Sequence, residues 1–264
     1  MTTSTAPQAS AFGRQMKQWR RISGLSQLDL AVRAGLSQRH VSFIETGRSR
    51  PGEDVIHKVA EALDVPLRDR NLMLEAAGLT PTYQELQLSD EMAAPYGMVV
   101  QKMLDAHMPY PAFVINRWWE MVNANESGRK LFPMFGDGPV DLVETFLKPG
   151  PIREMVDNFP AASWTFLRRL RREVTLAGPD ERLDDLLRRA EAYIEDIPPD
   201  IEKPGDDLVV CPNLKIDGRI IRTVSMVARF GTAREVTLAE LRVELMYPMD
   251  DEADQFFKAM AEDA

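Results

Sequence analysis

Near the amino end, Gln27 and the run Ser37-Gln38-Arg39-His40, with Ser42 and Phe43 following, are side chains suited to reading nucleic acid. Gln38 can bond adenine N6 and N7, Arg39 can bond guanine O6 and N7, and Phe43 can pack on a thymine methyl. A good bidentate pair of this kind is worth about 1–3 kcal/mol of discrimination. Ser26 and Ser37 each precede a helical run and are each followed by glutamine, so two N-capped helices begin eleven residues apart. The first also carries an acidic capping box, Ser26-x-x-Asp29. Gly35 supplies the left-handed turn between them and Leu36 fills their angle, which is the spacing of a helix-turn-helix.

In that arrangement the first helix crosses the sugar-phosphate backbone, where Gln27 can donate to a phosphate. The second enters the major groove with Val41 and Ile44 turned to the core and Gln38, Arg39, Ser42 and Phe43 outward. Arg48 and Arg50, beyond Gly47, are placed for phosphates or are solvated loop charges. His40 is a phosphate contact or an ordinary surface histidine, and His57, on an apolar helix, reads as structural.

The charge distribution agrees. The chain of 264 residues has a net charge of -9, yet eight Lys/Arg face two acids between Arg14 and Arg50. That segment is positive by six and the remainder is negative by fifteen. A basic segment on an acidic body fits a DNA-reading module joined to a part that does not touch DNA.

Cys211 is the one cysteine, so neither an internal disulfide nor a cysteine-based zinc cluster can form, and His40, His57 and His107 lack metal-ligand spacing. No cofactor is expected. No run of 18 apolar residues and no signal peptide is visible, so a cytoplasmic protein without membrane contact is expected.

The elements that must position these residues follow from periodicity. Phe12, Met16 and Trp19, then Leu30 and Ala31, Val41 and Ile44, and Val55 to Leu63 recur at helical spacing. Together with a last helix, Leu67 to Ala77, they predict an all-α domain of about five helices over 11–80, after a disordered tail at 1–10. Residues 81–95 read as a linker or peripheral helix, and 96–264 as an α+β domain with an antiparallel sheet and covering helices. Its first helix, Tyr96 to His107, is expected to present Val99, Val100, Met103 and Leu104 on one face. A hairpin follows at Phe113–Asn123, Asn125 caps a helix, and 141–197 is helical. The last third reads as strands: Leu208 to Ile216, an Asp217-Gly218 turn, Arg219 to Phe230, and Leu241 to Tyr247.

Gly24-Leu25-Ser26-Gln27, Ala34-Gly35-Leu36-Ser37 and Glu45-Thr46-Gly47-Arg48-Ser49-Arg50-Pro51 resemble the phage-repressor-type (XRE-family) helix-turn-helix of bacterial regulators. The resemblance implies a structural ion pair between Arg20 and Glu45 that orients Arg20 towards the phosphates. It implies base contacts at Gln38, Arg39 and Phe43, where phenylalanine departs from the family's usual polar residue. Pro111 to Asn116 with Trp119 and Asn125, Ala228 to Ala233, and Thr237 to Leu245 resemble the ligand-binding domain of MmyB-like regulators. That likeness implies a PAS-like fold around an apolar pocket and a fatty-acid-like ligand. Candidate lining residues are Phe113, Ile115, Trp119, Met121, Phe132, Trp164, Leu167, Met226 and Ala228. Arg229, a charge within a β-run, could neutralise a ligand carboxylate or pair with Glu244.

The leading expectation is a dimeric regulator that binds a palindromic double-stranded DNA operator and responds to a small apolar ligand. Two alternatives remain open. In one the second domain is only a dimerisation or protein-interaction module; in the other it is an enzyme. For the enzyme, no nucleophile–base–acid set, metal motif or phosphate loop is visible, and Cys211, followed by Pro212, has no histidine near it in sequence.

Overall fold

Between Ser10 and Glu85 the apolar spacing produces five helices, α1 (Ala11–Ile22), α2 (Gln27–Ala34), α3 (Gln38–Glu45), α4 (Glu53–Ala62) and α5 (Leu67–Ala76). Ser10, Ser26 and Ser37 cap the first three, each hydroxyl accepting a backbone N–H of the first turn. At Ser26 the capping box is complete, because Asp29 also accepts from the Ser26 backbone N–H at 2.9 Å. Gly35 ends α2 at φ 64°, a left-handed value that a side chain would strain. Phe12, Met16, Trp19, Leu30, Val41, Ile44, Ile56, Val59, Met73 and Leu74 form one buried core. Gly13 lets α1 lie against α3, since a Cβ there would sit 2.5 Å from the Ile44 carbonyl oxygen.

The computed structural model describes residues 10–87, 90–131, 138–199 and 209–262. The chain divides into two units, one made of the part up to Glu85 with 175–179 and 234–236, the other of Leu86–Val174, Asp180–Ala233 and Thr237–Ala264. Residues 1–9 of the expected tail, Phe132 and Leu208 lie outside the described residues. The start of the expected linker is tied back onto α5: the Asn71 side chain accepts from the Thr82 and Tyr83 backbone N–H groups and donates to the Tyr83 carbonyl.

The second unit begins with α6 (Ala94–Ala106) and the hairpin β1 (Ala112–Ile115) and β2 (Glu120–Ala124). Then come α7 (Glu126–Leu131), β3 (Val140–Asp141), α8 (Leu142–Leu147), α9 (Pro151–Met155), α10 (Phe159–Leu176) and α11 (Glu181–Tyr193). It finishes with β4 (Leu214–Ile216), β5 (Arg219–Ile221), β6 (Thr223–Arg229), α12 (Val236–Glu240), β7 (Arg242–Pro248) and α13 (Asp251–Glu262). Asn125 caps α7 as expected, its Oδ1 accepting from Gly128 N–H at 2.9 Å.

Five antiparallel strands lie in the order β3-β2-β1-β7-β6, and β4-β5 form a separate hairpin. Because side chains alternate across a strand, the sheet has two different faces. Ala112, Val114, Val243 and Ala228 pack with Val100 and Leu104 of α6. Phe113, Ile115, Met121 and Met246 face the other way, into a cluster closed by Phe159, Ala162 and Phe257.

Three expectations change here. On α6 only Val100 and Leu104 turn inward, while Val99 and Met103 are exposed, because one helical row suffices to cover the sheet face. The run Arg219 to Phe230 splits between the β5 hairpin and the main sheet, with Arg222 in neither strand. The C-terminal helix α13, capped by Asp250 and burying Ala253 and Phe257, is an additional element.

Candidate functional site

Arg20 and Glu45 meet across the first unit as a nearly buried ion pair: Arg20 Nε donates to Glu45 Oε1 at 2.7 Å and Nη2 to Oε2 at 3.1 Å. Arg20 Nη1 donates to the Leu25 carbonyl at 2.7 Å, and Gln27 Nε2 donates to Glu45 Oε2 at 2.8 Å. The network therefore joins α1, the turn before α2, the first residue of α2 and the last residue of α3. One expectation is corrected by it: the Arg20 guanidinium is turned inward rather than towards phosphates. Gln27 gives one amide hydrogen to Glu45, because a buried carboxylate needs every donor it can reach.

From the other end of α3, Ser37, Gln38 and Arg39 are exposed and His40, Ser42 and Phe43 are half-buried; beyond Glu45, Arg48 and Arg50 are exposed. The Arg39 guanidinium carbon lies 5.0 Å from the Phe43 ring centroid, and that of Arg48 lies 5.8 Å from it. Two cations on one ring are each attracted to its negative face. Phe43 is thus a platform that holds the arginines, and the Arg48 and Ser49 backbone N–H groups fold back onto its carbonyl.

The second unit contains a cavity of about 210 Å³ on the Phe113–Met246 face of the sheet. Its walls are Phe113, Ile115, Trp119, Met121 and Met246 from the sheet side, Leu142, Thr145 and Phe146 from α8, and Ile152 from α9. Helix α10 contributes Ala162, Thr165, Phe166 and Arg169, one stripe at helical spacing. Val210, Cys211, Pro212, Ser225 and Glu244 complete it.

Trp119 owes its place to a strained turn. Asn116 Oδ1 accepts from the backbone N–H of Trp118 and of Glu120, both at 3.0 Å, and forces Trp119 to φ 57°. A non-glycine residue there costs of order 1–3 kcal/mol, and such outliers cluster at ligand sites. The turn brings the indole against two guanidiniums, Arg242 at 4.3 Å and Arg169 at 5.0 Å from the ring.

Of the lining residues expected from sequence, Phe113, Ile115, Trp119 and Met121 do line the cavity. Trp164 and Leu167 do not, because α10 presents positions 162, 165, 166 and 169 instead; Trp164 Nε1 donates to the Pro198 carbonyl and Leu167 is buried elsewhere. Met226 and Ala228 are on the α6 face, one step out of phase with Ser225, and Met226 is exposed. Arg229 is exposed and meets Glu173 at 3.4 Å; the residue paired with Glu244 is Arg169, at 2.5 Å. Sequence reasoning passed over Arg169, and named Glu244 only as a partner for Arg229, because charges in a helix or strand read as solvent-facing.

Residues 97–260, more than half of the chain, match the family model of the MmyB-like transcription regulator ligand binding domain. The chain belongs to the MmyB-like transcription regulators. The matched segment of this MmyB-like chain holds every residue that lines the cavity. A helix-turn-helix family model matches residues 16–69, which hold Arg20, Gln27, Arg39, Phe43, Glu45 and Arg48.

Over 83 residues the chain is 36% identical to the uncharacterized HTH-type transcriptional regulator RghRB of Bacillus subtilis (strain 168), covering 31% of this chain and 58% of that protein. The chain thus spans little more than half the length of that curated relative. Among solved structures, the restriction-modification controller protein C.AhdI from Aeromonas hydrophila matches at 34% identity and a TM-score of 0.23, covering 24% of this chain and 94% of its own. No described helix of this MmyB-like regulator is long and apolar enough to cross a membrane.

Proposed function

We propose that this regulator binds double-stranded operator DNA as a homodimer on a palindromic site, and that a small apolar, fatty-acid-like ligand in the second unit changes its DNA affinity. In this reading Gln38 and Arg39 bond base edges, Ser42 lies beside them, and Ser37, His40, Arg48 and Arg50 contact phosphates. Phe43 fixes the arginines. Gln27 positions α3 through Glu45 and keeps a second amide hydrogen for a phosphate. Two heads would read half-sites about 34–36 Å apart, one helical turn. Ligand coupling of the usual size would change DNA affinity by roughly 5–150-fold.

The observation that carries the reading is the apolar cavity in a chain whose other unit displays Arg39 and Arg48 stacked on one ring. Selection of binding duplexes from a random pool tests the DNA part. A palindromic consensus with two equal half-sites supports it, and an unenriched pool defeats it. Mass spectrometry of small molecules released on denaturing the purified protein tests the ligand part.

A second reading, in which the second unit serves only association, has its own observation. Tyr96, Val99 and Met103, spaced three and four residues apart, are all exposed and form an apolar stripe along α6, with exposed Met92 just before the helix. Sedimentation of a Val99→Glu, Met103→Glu variant separates the two: loss of the dimer with ligand binding retained assigns α6 to association and the cavity to sensing.

A further inference from the structure

The helical unit is not made of the first five helices alone: residues 175–179 and 234–236 also belong to it. The first of these pieces is the end of α10 and the turn beyond it. One helix therefore has its body in the sheet unit and its last two residues, Thr175 and Leu176, in the helical unit. Two residues further on, Gly178 is buried. A Cβ on Gly178 would fall 2.0 Å from Asp69 Oδ1 on α5 and 3.5 Å from Trp19 Cζ2 on α1. Asp69 is 2% exposed and Trp19 4%, so neither yields without opening the packing around it. Connecting segments normally run over the surface, so a loop glycine buried this closely marks a docked segment. Trp19 immediately precedes Arg20, whose guanidinium clamps Glu45 at the end of α3.

The same helix walls the cavity. Phe166 packs on two other lining rings, its centroid 4.4 Å from that of Trp119 and 5.6 Å from that of Phe146, and Ala162, Thr165 and Arg169 line the cavity beside it. An occupant of the cavity therefore bears on α10. From Phe166 to Leu176 the helix rises about 15 Å, at 1.5 Å per residue. Within that span Glu173 ties it to the buried Arg242 of β7, a pair that is costly to break and so acts as a pivot. We infer that α10 is the transmission element of the regulator. An occupant shifts the helix at Phe166, the shift reaches Gly178, and the reseated 175–179 segment moves α1 and with it the Arg20–Glu45 clamp that aims α3. Long-range coupling is carried by rigid elements and packed side chains of this kind. The inference rests on the reading of the cavity as the ligand site and adds how its occupancy reaches the DNA-reading helix.

The operator Kd of the full chain, measured by anisotropy of a labelled selected duplex with and without octanoate as the fatty-acid probe, tests the route, alongside calorimetric titration of octanoate alone. In the parent chain octanoate is expected to change the operator Kd by at least about fivefold. Gly178→Ala forces the 175–179 segment off Asp69 and Trp19, and should bring that factor to within about twofold of one while octanoate still binds. A second variant, with Gly-Ser-Gly inserted between Leu176 and Ala177, keeps every packed side chain and slackens the chain between the helix and its docked end. It should lose the factor in the same way. Leu176→Gln, at an exposed position of the same segment, should keep it. A parent-sized factor in either folded variant, Gly178→Ala or the insertion, overturns α10 as the route and leaves ligand control in place. Octanoate that fails to bind the parent chain, or binds and leaves its operator Kd unchanged, overturns ligand control and the route with it.

Discussion

Each unit of this molecule has an arginine–glutamate cluster built into its interior, and the two are finished differently. In the helical unit both oxygens of Glu45 accept hydrogen bonds, from Arg20 and Gln27, and Arg20 also satisfies the Leu25 carbonyl. In the sheet unit three arginines share Glu173 and Glu244, and buried donors are left over on Arg169, Arg242 and Trp119. A closed polar network fixes one geometry, here the angle between the helix that carries Arg39 and the helices behind it. An open one leaves donors for something else to satisfy, as the proposed ligand would. Under the proposed function the contrast separates a part that must hold still in order to read bases from a part that must answer to something added.

The largest effect should come from opening the closed cluster. Glu45→Ala leaves the Arg20 guanidinium buried without its partner and should cost about 3–5 kcal/mol in denaturant unfolding of the helical unit, with loss of DNA binding. Replacing both residues, Arg20→Met with Glu45→Leu, should recover much of that stability; a double variant as unstable as the single one would show that the network is not closed on itself. Next, Gly13→Ala pushes a methyl against the Ile44 carbonyl, so α1 and α3 must separate, at about 1–3 kcal/mol.

On the reading face, Arg39→Ala should relax specificity at one base pair by about 1–3 kcal/mol, whereas Arg48→Ala should weaken all duplexes alike and reduce the salt slope by about 1. Equal, sequence-independent losses from both would remove Arg39 from base reading.

The smallest effect concerns pH in the sheet unit. His107 is buried, hydrogen-bonded through Nε2 to the Met246 carbonyl at 2.8 Å, and desolvation holds its pKa below the ordinary 6.5. A histidine with a depressed folded pKa stabilises the fold in its neutral form. That contribution is present above pH 6.5 and is lost as pH falls below it, since the unfolded chain takes up the proton more readily. Unfolding midpoints between pH 7.5 and 5.5 should therefore decline, and His107→Gln should flatten the decline. The carboxylates held low by partners, Glu144 beside Lys148 and Asp254 beside Lys258, act only in a more acidic window.

How far the residues alone disclosed all this differs between the units for a physical reason. The helical unit is specified by local signals, Ser26 and Ser37 as caps, Gly35 as a left-handed stop and apolar residues at helical spacing, and each acts within a few positions of itself. The hairpin at Trp119 and the Asn125 cap are legible in the same way. The cavity is not local, because it depends on which parity of β6 faces β7's inner side and on how α10 is rotated. An exposed Met226 and an inward Ser225 invert what apolarity suggests, and a cavity-lining Arg169 looks like any solvated charge on a basic helix. The inward turn of Arg20 was hidden as well, since it follows from the three acceptors that only folding brings together.

The most direct test is reciprocity between the two units. If a ligand in the sheet unit changes DNA affinity by some factor, bound DNA must change ligand affinity by the same factor. Octanoate affinity of the full chain is to be measured by calorimetry with and without a saturating selected operator duplex, alongside the operator Kd with and without octanoate. The expected result is one shared factor of at least about fivefold. Octanoate that binds equally well with and without DNA, and leaves the operator Kd unchanged, would contradict a ligand-controlled regulator.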